Sequence, residues 1–281
     1  MAIAVIGPIA KDRIVIGKSE KEQIGGTVFY AGSALAKLGI KTQIFAKLSA
    51  KDKNLLGALK HKNISLFPYF CEHTTSFRNV YHGENREQFV DGVAEPFEIS
   101  DITSLKANIV HLGPLTKPDI PLAVFKHLKS LGIAISLDIQ GFTRKINGRK
   151  VVQSRWKDAK DFLRYVDILK ADANEAELMG GIKKLAGMGP IEVVITNGQK
   201  GSVVYSKKQK KLCKIPAFEP SAVKDVTGAG DTYIAGYLAK RIGTDDIEEC
   251  GLFGAMCATM KIENGFFNAA KKDVEKRLKD S

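Results

Sequence analysis

From about residue 105 onward, short apolar runs alternate with amphipathic stretches, a rhythm that few architectures accommodate. The runs are "NIVHLGPL", "IAISLDIQ", "VDILKADA" and "IEVVITNG", separated by stretches such as Pro121 to Ser130. Such a pattern predicts an α/β chain with a Rossmann-like, mostly parallel central sheet and helices on both faces. Each run ends in polar residues, His111, Asp138, Asp172 and Thr196-Asn197, at what would be the carboxyl edge of the sheet. Ligands of open α/β sheets bind at that edge. With 281 residues, 44% of them hydrophobic, the chain can bury a large core, and 1–281 reads as one domain. The opening residues, Met1 to Gly7, read as a first buried strand and carry no basic leader or cleavage site. No apolar run approaches the ~20 residues of a membrane helix, so no membrane partner is expected.

Two stretches break the rhythm. "KDRIVIGKSEKEQIGG" (Lys11 to Gly26) and "TSFRNVYHGENREQFVDG" (Thr75 to Gly92) alternate apolar with polar residues around Gly17-Lys18 and Gly83-Glu84-Asn85. They read as two-stranded ribbons spanning approximately residues 10–26 and 74–95, weak alone and able to pair into a small β lid over the main body. The alternative is that both are edge strands. A lid with free edges would also offer a surface for a homodimer.

The formal charge of +12 keeps anionic small molecules and nucleic acid in play as partners. The lysines are dispersed, however, and no aromatic residues are interleaved with them to stack bases. The densest run, Lys207 to Lys211, reads as a hairpin turn, and Lys271, Lys272, Lys276 and Arg277 share a terminal amphipathic helix with Asp273 and Glu275. A nucleic-acid partner is therefore not expected. Cys71, Cys213, Cys250 and Cys257 are scattered without a paired spacing, which suggests neither disulfides nor a zinc site and fits a reducing cytoplasm. Cys71-Glu72-His73 lacks a second ligand cluster and reads as an ordinary loop.

Three patterns bear on chemistry. In "DVTGAGDTYIAGYLAK" (Asp225 to Lys240) a helix begins near Gly230 or Asp231, and Gly228-Ala229-Gly230 can cradle an anion at its N-terminus. Asp231 is either an N-cap or a general base beside a transferring phosphoryl group. "GGTVFYAGSALAKLG" (Gly25 to Gly39) is a double-glycine turn entering a helix, built for close approach to a ligand or for tight packing. In "NEAE", Asn174 and Glu177 share one helix face, as a capping box or as a magnesium ligand pair.

Taken in this order the three patterns resemble the ribokinase-like, phosphofructokinase-B type, carbohydrate kinases over nearly the whole chain. "DVTGAGDTYIAGYLAK" looks like the second signature of that family and "GGTVFYAGSALAKLG" like its first. "KADANEAEL" resembles its Asn-x-x-Glu segment, and "VVITNGQKGSVV" its Thr-x-Gly-x-x-Gly nucleotide segment. The resemblance implies that Asp231 is the catalytic base and that the amides of Gly228, Ala229 and Gly230 form the anion hole. Asn174 and Glu177 would organise Mg2+ through its waters, and Thr196, Gly198 and Gly201 would line the nucleotide, ATP or alternatively ADP. Asp225 and Thr227 match positions where some members bind a monovalent cation such as K+. Asp12, Gly25 and Gly26 match residues that close on the sugar, and Arg144 an arginine that meets the substrate in sugar-acid members. The departures concern the acceptor. Tyr30 stands where the family usually has an asparagine facing the sugar, and the Asp-x-Asn-x-x-Arg-like segment reads Asp138 to Arg144 as "DIQGFTR". An aromatic wall disfavours a plain furanose and leaves a nucleoside, an inositol, or a keto or acid sugar; "SLDIQGFTR" and "AEPF" resemble most a branch tied to inositol and keto-sugar-acid catabolism.

What the resemblance implies is transfer of a terminal phosphoryl group from a magnesium nucleotide to a sugar-like hydroxyl. The chain has no P-loop, no Gly-x-Gly-x-x-Gly after the first strand and no Gly-x-Ser-x-Gly elbow, which disfavours those enzyme classes. The rivals are a nucleoside kinase of the same family and a non-catalytic sugar or nucleotide sensor on the same fold.

Overall fold

The first apolar run forms strand β1 (Ala2–Pro8), and its alternating side chains enter two different cores. Ile3 and Val5 join one cluster and Ala4 and Ile6 the other, as the two-residue period of a strand requires. The computed structural model describes residues 2–82 and 85–281. Around β1 lies a nine-stranded sheet in the order β15-β14-β13-β12-β9-β8-β1-β4-β5. Its further strands are β4 (Lys41–Ser49), β5 (Ile64–Cys71), β8 (Ile109–Leu112), β9 (Ala134–Asp138), β12 (Ile168–Asp172), β13 (Glu192–Thr196), β14 (Ser202–Ser206) and β15 (Lys211–Ile215). Seven of these strands run parallel, and β14 and β15 close one edge antiparallel. Lys207 to Lys210 form the turn between β14 and β15, as their charge suggested.

Helices cover both faces. On one side, α1 (Thr27–Lys37), α6 (Ala229–Arg241), α7 (Ile247–Asn264) and α8 (Lys271–Lys279) bury Val28, Leu35, Ile234, Leu238, Phe253 and Val274. On the other, α2 (Leu122–Ser130), α3 (Ala159–Leu163) and α5 (Ile182–Gly187) bury Phe125, Leu128, Leu163 and Leu185. The short α4 (Ala173–Leu178) follows β12 directly. Close packing of α6 on α7 needs glycine: a methyl on Gly236 would stand 3.0 Å from the Gly254 Cα, and one on Gly254 2.7 Å from the Tyr233 carbonyl.

A second, six-stranded sheet is built from β2 (Ala10–Ile16), β3 (Ser19–Gly25), β6 (Thr75–His82), β7 (Asn85–Gly92), β10 (Arg144–Asn147) and β11 (Lys150–Gln153), in the order β10-β11-β7-β6-β2-β3. The pairs β2/β3 and β6/β7 are antiparallel hairpins, joined by a parallel β2/β6 contact. Of the turn expected at Gly83-Glu84-Asn85, Gly83 and Glu84 lie outside the described residues. The third hairpin, β10/β11, extends the sheet through β7 and was not foreseen. Its signal in the sequence is Gly148, at φ +60° the first residue of the two-residue turn Gly148-Arg149, where a tight hairpin favours glycine. Asp91 on β7 draws Arg13 of β2 (2.6 Å), Arg78 of β6 (3.8 Å) and the Arg149 turn onto one carboxylate. Burial would raise the Asp91 pKa, but the two contacting guanidiniums, Arg13 and Arg149, hold it below the usual carboxylate range. Ala10, Phe77 and Val90 of this sheet pack on Leu115, which follows β8 of the large sheet, so the two sheets share a small core.

Candidate active site

Parallel register brings the polar strand ends together. Asp138, Asp172 and Thr196 are the last residues of β9, β12 and β13, with Lys170 opposite Asp138 and Asp172 opposite Thr196. His111 behaves differently from an edge residue. It is fully buried, its Nδ1 lies 2.9 Å from Ser136 Oγ, and burial pulls its pKa down to about 4, which leaves a neutral ring beneath the site.

Helix α6 begins at Ala229, and Gly228 is its N-cap at φ +75°, the left-handed region that favours glycine. Asp231 therefore sits at the third helical position and does not cap the helix, which sets aside the capping alternative. Its Oδ1 is buried with no hydrogen-bond partner among the described residues. The Ala229 amide is turned back onto the Val226 carbonyl at 3.2 Å, whereas no acceptor among the described residues takes the amides of Gly228, Gly230 or Asp231. The open donors of the cradle are thus Gly228, Gly230 and Asp231 rather than Gly228, Ala229 and Gly230. A helix N-terminus with free amides receives anions.

Behind this turn stands Lys170, a buried lysine in the middle of β12. Its ammonium donates to Asp138 Oδ2 at 2.7 Å and lies 3.3 Å from where a Gly230 Cβ would be. Burial lowers the lysine's pKa, but Asp138, Glu175 and Asp231 outweigh it and raise it above its ordinary value. For Asp231 the signs are opposite. Burial and then the Asp138 charge push its carboxyl up to about 6, against the pull of Lys170, the Thr27 hydroxyl and Arg144. Glu175 is raised mainly by burial as well. Asp138 was expected at the ligand-binding edge of the sheet, whereas Lys170 and Glu175 were not singled out for chemistry from the sequence. The legible signal for Lys170 was a lone lysine within the apolar run "VDILKADA".

The double-glycine turn meets the same region from the other side. Gly26, at φ +93°, precedes α1, and Gly25 lies so close to Asp12 that a methyl there would stand 2.5 Å from Oδ2. Asp12, Gly25 and Gly26 therefore form one corner. Thr27, next in line, has a buried Oγ1 that faces the Asp231 carboxyl and lies 2.7 Å from where a Gly113 Cβ would be. Tyr30 donates its hydroxyl to the Ile24 carbonyl at 3.2 Å, and its ring covers Gly228, where a methyl would come within 2.6 Å of Cδ2. Arg144, at the start of β10, donates to Gln140 Oε1 at 2.6 Å and to the Leu115 carbonyl at 3.4 Å, with Phe77 5.4 Å from its guanidinium.

On the other flank, Thr196, Gly198, Gly201, Ala229 and Gly230 line one cavity of about 290 Å³. Its further lining is mostly apolar, with Phe218, Val223, Val226, Ala258 and Ile262, beside Gln199, Ser202 and Thr259. Asn174 and Glu177 lie exposed on α4. The capping box here is made one step earlier, by Asp172 and Glu175 with both bonds at 2.8 Å, so that alternative is removed for the Asn174–Glu177 pair. Among the described residues no hydrogen bond or ion pair links Asn174 or Glu177 to Asp231. Thr227 donates its amide to Asp225 Oδ1 at 2.8 Å. No helix among the described residues is long and apolar enough to cross a membrane.

Comparison with known proteins follows the same lines. A nucleoside kinase of Methanocaldococcus jannaschii is 25% identical over 256 residues, 87% of this chain and 81% of its own length. A pyrophosphate-dependent kinase of the ribokinase family, solved with a pyrophosphate analog and myo-inositol, superposes with a TM-score of 0.86 at 25% identity, covering 98% of this chain and 99% of its own. Arabidopsis thaliana ribokinase, solved with ribose and ATP, shares the fold with a TM-score of 0.78 at 21% identity, over 100% of this chain and 99% of its own. The model of the pfkB family carbohydrate kinases matches residues 33–265. The chain belongs to that family, and so is a phosphotransferase acting on an alcohol group.

Proposed function

We propose that this phosphotransferase moves the terminal phosphoryl group of ATP to a hydroxyl of a neutral cyclic polyol, of which an inositol is the first candidate, with Asp231 as general base. The observation that carries the reading is the Asp231 carboxyl, buried with its Oδ1 unpartnered and raised in pKa, beside the open amides of Gly228, Gly230 and Asp231 at the head of the helix. A base for a hydroxyl works best with a pKa near the operating pH, and a carboxyl lifted by burial meets that need.

In this reading the acceptor lies over Asp12 and Gly25 with its hydroxyl toward Asp231, which takes the proton as the new phosphorus–oxygen bond forms and the bond from the γ-phosphorus to its bridging oxygen breaks, releasing ADP. The amides of Gly228, Gly230 and Asp231 receive the phosphoryl oxygens, and Lys170 adds fixed positive charge behind Gly230. The apolar cavity beside Gly230 suits a nucleoside base, which supports ATP over a bare pyrophosphate donor. Asn174 and Glu177 would hold Mg2+. The ion usually keeps several waters and takes one or two carboxylates plus phosphates, so a single exposed carboxylate with an amide beside it fits. When bound with the nucleotide, it would neutralise phosphate charge. The six-stranded sheet, closing on the acceptor, would exclude water.

The pyrophosphate-dependent neighbour solved with myo-inositol, matched over 98% of this chain, supports a neutral acceptor. A nucleoside acceptor is the second reading, favoured by the nucleoside kinase relative.

The test is product formation followed by mass spectrometry, with magnesium and ATP, ADP or pyrophosphate as donor and inositols, hexoses, nucleosides and keto sugar acids as acceptors. ATP with one neutral polyol is the expected pair, and Asp231→Asn should lose roughly 10²–10⁴-fold in turnover. An Asp231→Asn enzyme with unchanged turnover would refute the base. Binding of ATP and polyol without turnover would favour the sensor.

A further inference from the structure

Lys261 takes no part in the chemistry above. It stands about one turn from the end of α7, in "CATMKIEN", and is 0% exposed. Its ammonium donates to the Asp225 carbonyl oxygen at 2.9 Å and pairs with Asp225 Oδ2 at 3.3 Å. The ring of Tyr30 lies 5.6 Å from it, within cation–π reach. The next residue, Ile262, accepts from the amides of Lys224 at 3.0 Å and Asp225 at 3.4 Å. One end of α7 thus grips both sides of the turn that leads into α6. Tyr30, on the ammonium, in turn packs against Gly228.

Asp225 and Thr227 are the positions at which the family resemblance implies a monovalent cation in some members. The residues present do not fit a free ion. Two oxygens it would take, the carbonyl and Oδ2 of Asp225, already face the Lys261 ammonium, and Oδ1 accepts from the Thr227 amide. A second cation would sit against a like charge away from water. An ammonium carries the charge of a potassium ion and is close to it in size, and its three N–H groups bind oxygens much as the ion does.

We infer that Lys261 is this chain's built-in monovalent cation, a positioning residue that ties Asp225 and Tyr30 over Gly228 and keeps the head of α6 ready for a phosphoryl group without potassium. The inference rests on Gly228 to Asp231 being the phosphate cradle. Burial lowers the pKa of the lysine, and Asp225 and Asp231 act against that.

The experiment compares the full-length protein with Lys261→Met in potassium, ammonium and choline chloride at equal ionic strength. It reads the thermal midpoint, the affinity for magnesium ATP by calorimetry, and turnover. The wild-type protein should give the same three values in every salt. Lys261→Met should lose roughly a hundredfold in turnover in choline and regain part of it, with its midpoint and ATP affinity, in potassium or ammonium. A lysine with a merely structural role would give a loss that no salt restores, and that result overturns the inference. So does a wild-type midpoint or affinity that rises with potassium over choline, a comparison that decides the matter even if Lys261→Met does not fold. Should no acceptor be phosphorylated, midpoint and ATP affinity still report on Lys261, so failure of the kinase reading stays separable.

Discussion

Gly228→Ala tests the geometry at the head of α6 most directly. The residue sits at φ +75°, and a methyl group there would stand within 2.6 Å of the Tyr30 ring. The left-handed backbone costs a residue with a side chain roughly 1–2 kcal/mol, and forcing a methyl into filled space costs about 1–3 kcal/mol. The two costs fall on different groups, so the variant should lose about 2–5 kcal/mol, which a domain with roughly 5–15 kcal/mol of stability survives. The steric part can be separated. Tyr30→Ala makes room for the methyl, and in the double variant only the dihedral cost remains. Urea unfolding of the four proteins, at one pH and one salt, should give a coupling of about 1–3 kcal/mol between the sites. Loss of the ring's contact with Lys261 enters both legs of this cycle and cancels. Strictly additive costs would refute the argument, because they would mean that the ring and the turn do not touch. Turnover should fall roughly a hundredfold in Gly228→Ala, since displaced amides no longer meet the phosphoryl oxygens.

Asp231→Asn should stabilise the fold at pH 8. Because burial raises this carboxyl to about 6, ionising it takes away stability; the penalty is absent below its unfolded pKa and complete above the folded one, about 3 kcal/mol. Equal unfolding free energies of variant and wild type at pH 8 would contradict it. For the same reason the acid limb of kcat/KM should lie near pH 6 rather than near the ordinary value of 3.8. Lys170→Met should cost about 3–5 kcal/mol by leaving Asp138 buried without its cation, and the acid limb should move to higher pH because Lys170 holds the Asp231 pKa down. Ala258→Phe fills the apolar cavity and should raise the KM for ATP about tenfold or more while leaving the KM for the polyol unchanged; an unmoved ATP KM would show that the base binds elsewhere.

How far these features can be read without coordinates depends on how local each one is. The parallel sheet was legible because β8, β9, β12 and β13 are short, largely apolar runs with polar residues at or near their carboxyl ends, a pattern written within a few residues. The glycines at 228 and 230 were legible for the same reason. The β10/β11 hairpin was not, since "RKINGRKVVQ" is charged and half exposed, and it becomes a strand pair only by adding to the edge of β7. The start of α6 was misplaced by one or two residues, because Gly228 rather than Asp231 ends the left-handed turn. That small shift matters chemically: it frees the Asp231 carboxylate from capping and turns the Ala229 amide away from the cradle.

The two buried lysines show why charge counting misleads at such a site. Among 43 lysines and arginines, Lys170 and Lys261 have no distinguishing composition. Each lies in an apolar window, on β12 and on α7, where a lone charge would cost too much to bury unless an anion met it. Its partner, though, is far away in the chain: Asp138 lies 32 residues before Lys170, and Asp225 36 before Lys261. The sequence therefore carries the demand for a partner but not its identity. Once the fold supplies the partners, both ammonium groups fall around one short turn, Lys170 behind Gly230 and Lys261 beneath Asp225 and Tyr30. A net charge of +12 spread over the surface could attract a nucleotide from a distance, but only cations fixed this close can act on a phosphoryl group as it moves.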